Sequence, residues 1–114
     1  MPHIHVRLSK EIAAKVDGED VLRSLVETLS QLETIRPESV KAYLSVHDAY
    51  AVGQGHPPEF AHCTVAILDG RPPEIRQQIA DRMYESFRSL IAQAQTDVGI
   101  TLEVREMAKE QYRK

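Results

Sequence analysis

The sequence predicts an α+β fold in which a β-α-β unit occurs twice, giving a four-stranded mixed sheet with two helices on one face. Three observations carry this. Two stretches with helical apolar spacing lie among four short stretches that alternate with period two. The apolar positions of the first half also recur in the second at a nearly constant offset. Ile4, Val6 and Leu8 map onto Cys63, Val65 and Ile67; Val21, Leu25, Leu29 and Leu32 onto Ile79, Met83, Phe87 and Leu90; Val40, Ala42 and Leu44 onto Ile100, Leu102 and Val104. Finally, 114 residues suffice for one core, so segments of about 1–48 and 60–107 read as pseudo-repeats within a single domain spanning 1–114.

The first strand is expected in the opening eight residues, with Ile4, Val6 and Leu8 on one face and His3, His5 and Arg7 on the other. Ser9 to Lys15 is a polar connection with room for a helical turn. Asp17 reads as the N-cap of the first long helix, with Glu19 and Asp20 in its first turn, where the helix dipole favours acids. Its stripe is Val21, Leu22, Leu25, Val26, Leu29 and Leu32. It should stop near Thr34, because Arg36 precedes Pro37 and is biased away from helical angles.

Val40 to His47 alternates as the second strand. Gly53, Gly55, Pro57 and Pro58 make 48–59 an excursion. Ala61 to Leu68 is the third strand, and Asp69-Gly70-Arg71 turns the chain. Pro72 and Pro73 suit the start of a helix, where their missing N–H groups are not needed. That helix carries Ile75, Ile79, Met83, Phe87, Leu90 and Ala94 and should end near 97–99. Ile100 to Arg105 is the fourth strand, and 107–114 is a charged tail.

Each unit should join parallel strands, leaving one sheet face for the helices. The other face would carry His3, His5, Arg7, Lys41, Tyr43, Ser45, His47, His62, Thr64, Thr101, Glu103 and Arg105. Such a face is either a solvated back or an interior shared between copies of the chain.

Composition narrows the function classes. A net charge of -3 without a basic cluster gives no electrostatic footprint for nucleic acid. No apolar run approaches the ~18 residues of a membrane span, and polar residues from His3 onward interrupt any secretory leader. The lone Cys63 lies in an apolar strand pattern, as a small hydrophobe does in a reducing cytoplasm. The five histidines lack zinc-ligand spacing, and neither a phosphate-binding glycine loop nor a serine nucleophile elbow is present, so no metal or cofactor is expected.

Three residues remain as candidates for chemistry. Pro2, once Met1 is trimmed, would present a secondary amine at the start of a packed strand. Arg71 lies at a strand-to-helix turn, where the positive end of the helix favours an anion. Lys41 opens the second strand; if that strand is parallel to the first, Lys41 lies at the same sheet end as Pro2. An amine base and two cations converging there would suit a carboxylate-bearing substrate.

Met1-Pro2-His3-Ile4, Phe60-Ala61-His62-Cys63-Thr64-Val65 and Gly70-Arg71-Pro72-Pro73-Glu74-Ile75-Arg76-Gln77-Gln78 resemble the 5-carboxymethyl-2-hydroxymuconate delta-isomerase family. That family belongs to the tautomerase superfamily, with 4-oxalocrotonate tautomerase and macrophage migration inhibitory factor (MIF) as relatives. The resemblance implies a tautomerase/MIF-like fold and a cytoplasmic homotrimer, with sheets around a central interior and active sites near subunit boundaries. It implies a small-molecule dicarboxylate as substrate, Pro2 as catalytic base and Arg71 as a binding and polarising cation. The second family arginine matches Lys41, which keeps the charge and loses the planar fork; Arg7 and Arg36 are alternatives for its role.

In the implied reaction, the proline amine removes a proton from an unsaturated 2-hydroxy or 2-oxo dicarboxylate and returns it elsewhere along the conjugated system. Burial and nearby cations favour the neutral, basic amine, and the cations stabilise the developing dienolate. Two other readings fit the same residues: a different superfamily reaction, such as decarboxylation or dehalogenation, and a non-catalytic ferredoxin-like ligand-binding module, whose sheet interleaves its two halves.

Overall fold

The computed structural model describes residues 2–114. The trimming of Met1 on which a free Pro2 amine depends lies outside the described residues. Strands β1 (His3–Ser9), β2 (Lys41–His47), β3 (Glu59–Leu68) and β4 (Val98–Met107) form one sheet in the order β2-β1-β3-β4. β1 and β2 are parallel, β3 and β4 are parallel, and β1 and β3 meet antiparallel in the centre. The two β-α-β units therefore lie side by side. A ferredoxin-like sheet would interleave them, so the strand order decides against that alternative.

Apolar residues at alternate positions supply the sheet's half of the core. Ile4, Val6 and Leu8 from β1 and Ala61, Cys63, Val65 and Ile67 from β3 are all fully buried. Helices α2 (Gly18–Ser30) and α3 (Pro73–Ala92) cover them with Leu25 and Leu29 from one and Met83, Phe87 and Ile91 from the other. The Asp17 carboxylate accepts from Asp20 N at 3.3 Å, as the sequence leads one to expect of an N-cap. A short helix α1 (Lys10–Ala13) fills the connection after β1 and buries Ile12.

Several boundaries differ from the sequence expectation: α2 ends at Ser30, short of Thr34, and β3 starts at Glu59, two residues before Ala61. α3 ends at Ala92, because Ile91 is its last buried side chain and the chain must turn early to bring β4 alongside β3. β4 then runs from Val98 rather than Ile100, and on to Met107, matching β3 residue for residue. Backbone pairing extends this edge strand beyond the stretch where its side chains alternate cleanly. Among the described residues, no helix is long and apolar enough to cross a membrane.

The face of the sheet away from the helices is polar and internally paired. His3 Nε2 and the Tyr112 hydroxyl are 2.8 Å apart, and His5 Nε2 lies 2.7 Å from Ser45 Oγ. His62 lies between Thr101 Oγ1 at 2.7 Å and Thr64 Oγ1 at 3.3 Å. The Tyr43 ring packs at 4.9 Å centroid distance against His5 and is 46% exposed, large for an aromatic ring on a strand. Burial, then the Lys41 charge, lowers the His3 pKa below its usual value of 6.5. Burial, followed by Arg7, His47 and His62, lowers that of His5.

Candidate active site

Parallel pairing of β1 and β2 puts their starting residues at one end of the sheet, where the antiparallel β3 finishes. Pro2 is buried there, immediately before β1. Its carbonyl accepts from Lys41 N at 3.1 Å, which ties the residue to β2 and prevents fraying. By strand parity Pro2 shares the helix side of the sheet with Ile4.

Arg71 arrives from the other half of the chain. Gly70 before it has φ +111°, a value favoured by glycine and costly for other residues, and this sharp turn follows β3 directly. Arg71 then folds back and donates from Nη1 to Leu68 O at 3.0 Å. Its Nε donates to Thr34 Oγ1 at 3.0 Å and its Nη2 to Thr34 O at 2.9 Å. The guanidinium thereby clamps the segment after α2 against the end of β3.

Next to that clamp, Arg36 leads into a short 3-10 turn (Pro37–Ser39). Its carbonyl accepts from Ser39 N at 3.0 Å and from Ser39 Oγ at 2.8 Å. Pro2, Arg71 and Arg36 line one cavity of about 360 Å³ together with Thr34, Ser39 and Leu68. Lys114, from the tail after β4, lines it as well. This volume suits a small organic ligand, and Arg36, Arg71 and Lys114 each bring a cationic side chain to the residues that line it.

Two of the three residues expected to act together therefore do meet. Lys41 does not join them. It starts β2 at the expected sheet end, but its register partner is His3, so it projects from the polar face and is exposed there. Of its two alternatives, Arg7 is also on the polar face, 3.4 Å from Thr64 Oγ1, and only Arg36 reaches the cavity. The loop position of Arg36 has no periodicity to reveal it, and neither does the tail position of Lys114.

A larger groove of about 380 Å³ runs between α3 and β4, but Arg76 and Glu106 on its wall neutralise each other at 2.8 Å. It offers no comparable unpaired charge. Cys63 is buried in the core, where desolvation pushes its thiol up to about 12 and leaves it without a chemical role.

Comparison with known proteins adds independent evidence. The family model described as 5-carboxymethyl-2-hydroxymuconate isomerase matches residues 2–114. Among curated proteins no sequence matches. A solved 5-carboxymethyl-2-hydroxymuconate delta-isomerase superposes with a TM-score of 0.89 at 17% identity, covering 100% of this chain and 87% of the other. A 5-carboxymethyl-2-hydroxymuconate isomerase from Deinococcus radiodurans R1 gives 0.73 at 19% identity, covering 99% and 87%. A fused 4-OT, solved as a wild-type symmetric trimer, gives 0.73 at 18% identity, covering 98% and 90%. At these identities the structural likeness shows a shared fold.

Proposed function

Because the chain belongs to the 5-carboxymethyl-2-hydroxymuconate isomerase family, and is thus an isomerase, we propose that it moves a proton within an unsaturated 2-hydroxy or 2-oxo acid, with Pro2 as base. The observation that carries this reading is the cavity that Pro2 shares with Arg71 and Arg36 at one end of the sheet. The substrate is 5-carboxymethyl-2-hydroxymuconate or a close analogue. With Met1 removed, the Pro2 nitrogen is a secondary amine whose lone pair accepts the proton from the dienol hydroxyl or from a carbon beside the carbonyl. The resulting ammonium returns it to another carbon of the conjugated chain, so no atom is gained or lost. Arg71 stabilises the negative charge that builds on the carbonyl side in between, where a fixed cation acts most strongly on the transition state.

The assembly proposed is a homotrimer closed through the polar sheet faces, as the symmetric trimer of the fused 4-OT suggests. β2 is an edge strand of the sheet. In such a ring Lys41 faces a neighbouring protomer, so its contribution is made across a subunit boundary and not within its own cavity. The enzyme works in the cytoplasm without metal, cofactor, nucleic acid or membrane.

The test is ultraviolet-monitored isomerisation of 5-carboxymethyl-2-hydroxymuconate by Met1-free protein and its Pro2→Ala variant, with intact mass confirming each N-terminus. Loss of turnover in a folded variant supports Pro2 as base. No turnover by the wild type removes this substrate, and equal turnover in both moves the base elsewhere. Product analysis separates isomerisation from decarboxylation or dehalogenation.

A further inference from the structure

We infer that Arg36 grips a substrate carboxylate remote from the reacting carbons and thereby sets the preference of this cavity for polyanionic acids over acids with a single carboxylate. The inference rests on the reading of the cavity as the substrate site and goes beyond it by dividing the work between the two arginines.

Arg71 is already largely committed to the protein. An arginine has five N–H donors, and Arg71 directs three of its own at Thr34 and Leu68. What remains can take one carboxylate near Pro2, and removing this arginine would also release the segment after α2. Arg36 has the opposite character. Its backbone is fixed in an extended conformation (φ -90°, ψ 112°) before Pro37, and its carbonyl is held twice by Ser39. Its side chain is exposed and, among the described residues, makes no ion pair and no side-chain hydrogen bond. A fixed base with an uncommitted planar fork is suited to two-pronged recognition of a carboxylate.

Arg71 binds Thr34 through both the backbone carbonyl and the side-chain hydroxyl, two residues before Arg36, so the cations occupy separate positions around one cavity. The ligand that fits has acidic groups at both ends of a short carbon chain. 5-Carboxymethyl-2-hydroxymuconate meets this description: muconate is a dicarboxylate and the carboxymethyl arm adds a further one. Lys114 reinforces the sign of the field at the same mouth without offering a planar fork.

The experiment measures equilibrium binding by calorimetry with two unreactive probes, tricarballylate and the monocarboxylate crotonate, alongside steady-state kinetics with the muconate. Arg36→Gln is expected to weaken tricarballylate about ten-fold and crotonate less than about two-fold, the size of one partly solvated charge-assisted contact. KM for the muconate should rise by a similar factor with kcat within about two-fold, the pattern of lost uniform binding. Arg36→Lys should recover part of the tricarballylate affinity. Lys114→Gln, which removes a charge but no fork, should change either acid by less than about three-fold, since its contribution is a screened field.

Equal weakening of both acids by Arg36→Gln, no weakening, or as large a selective effect from Lys114→Gln would overturn the assignment. Absence of tricarballylate binding by the wild type would do the same. Arg36-dependent tricarballylate binding without turnover of the muconate would leave the inference standing and remove the proposed reaction, so the two failures are distinct.

Discussion

The two faces of one sheet use the same backbone ladder and have opposite solutions for their side chains. On the helix side, seven residues of β1 and β3 are fully buried and make apolar contacts with α2 and α3. On the other side, the intervening residues are histidines, hydroxyls and charged groups, with His3, His5 and His62 paired laterally by hydrogen bonds and Tyr43 left 46% exposed. The first face is completed within the chain. The second has the side-chain pairing of an interior and the exposure of a surface, which is what a face shared among copies looks like in a single protomer. Stability within the chain, and the cavity around Pro2, belong to the first face; the proposed assembly and the response to pH belong to the second.

Substitutions can test that division. The largest effect is expected at Pro2 and not at the next residue on the opposite face. Pro2→Ala in Met1-free protein should lower kcat by about 10²- to 10⁴-fold, the contribution of a positioned general base. His3→Gln should leave kcat per assembled trimer within a few-fold, measured on the sedimenting trimer peak. Phe87→Ala, fully buried under the sheet, should cost about 3–5 kcal/mol in urea unfolding monitored by circular dichroism. Tyr43→Glu on the polar face should leave a folded chain whose sedimentation coefficient drops from trimer to monomer. A trimer unchanged by that charge would place the subunit contact elsewhere.

A smaller effect comes from pH. His3 and His5 have pKa values lowered from 6.5 in the folded protein, so between that value and their folded values the unfolded chain binds more protons. The stabilisation is complete above the unfolded value and is lost as pH falls through the folded values. Melting temperature should therefore decrease on acidification below about pH 6.5, and less so in a His3→Gln, His5→Gln double variant. The least change is expected at Cys63: with its thiol raised to about 12 and buried, it should resist a thiol-labelling reagent until the protein unfolds.

Much of this division was legible in the sequence, because parity along a strand is encoded residue by residue. The alternation of Ile4, Val6 and Leu8 with His3, His5 and Arg7 appears unchanged in the structure. Parity also contained the correction for Lys41: it shares the His3 face, whereas Pro2 shares that of Ile4. Nearness to one sheet end hid that difference. Arg36 was less accessible, because its place at the cavity depends on the clamp between Arg71 and Thr34, residues far apart in the chain. Likewise, the length of β4 follows from its pairing with β3 and not from its own apolar pattern.

The side-by-side β-α-β units also bear on stoichiometry. The position 59 residues after Pro2 is Ala61, whose nitrogen lies within β3 opposite Leu8 of β1. An internal peptide nitrogen shares its lone pair with the adjoining carbonyl and cannot serve as an amine base. A reagent that exists once at the end of a polymer is not doubled when the fold around it is doubled. An alkylating substrate analogue aimed at the proline should thus saturate at one equivalent per chain, leaving the second unit to supply only the charged wall.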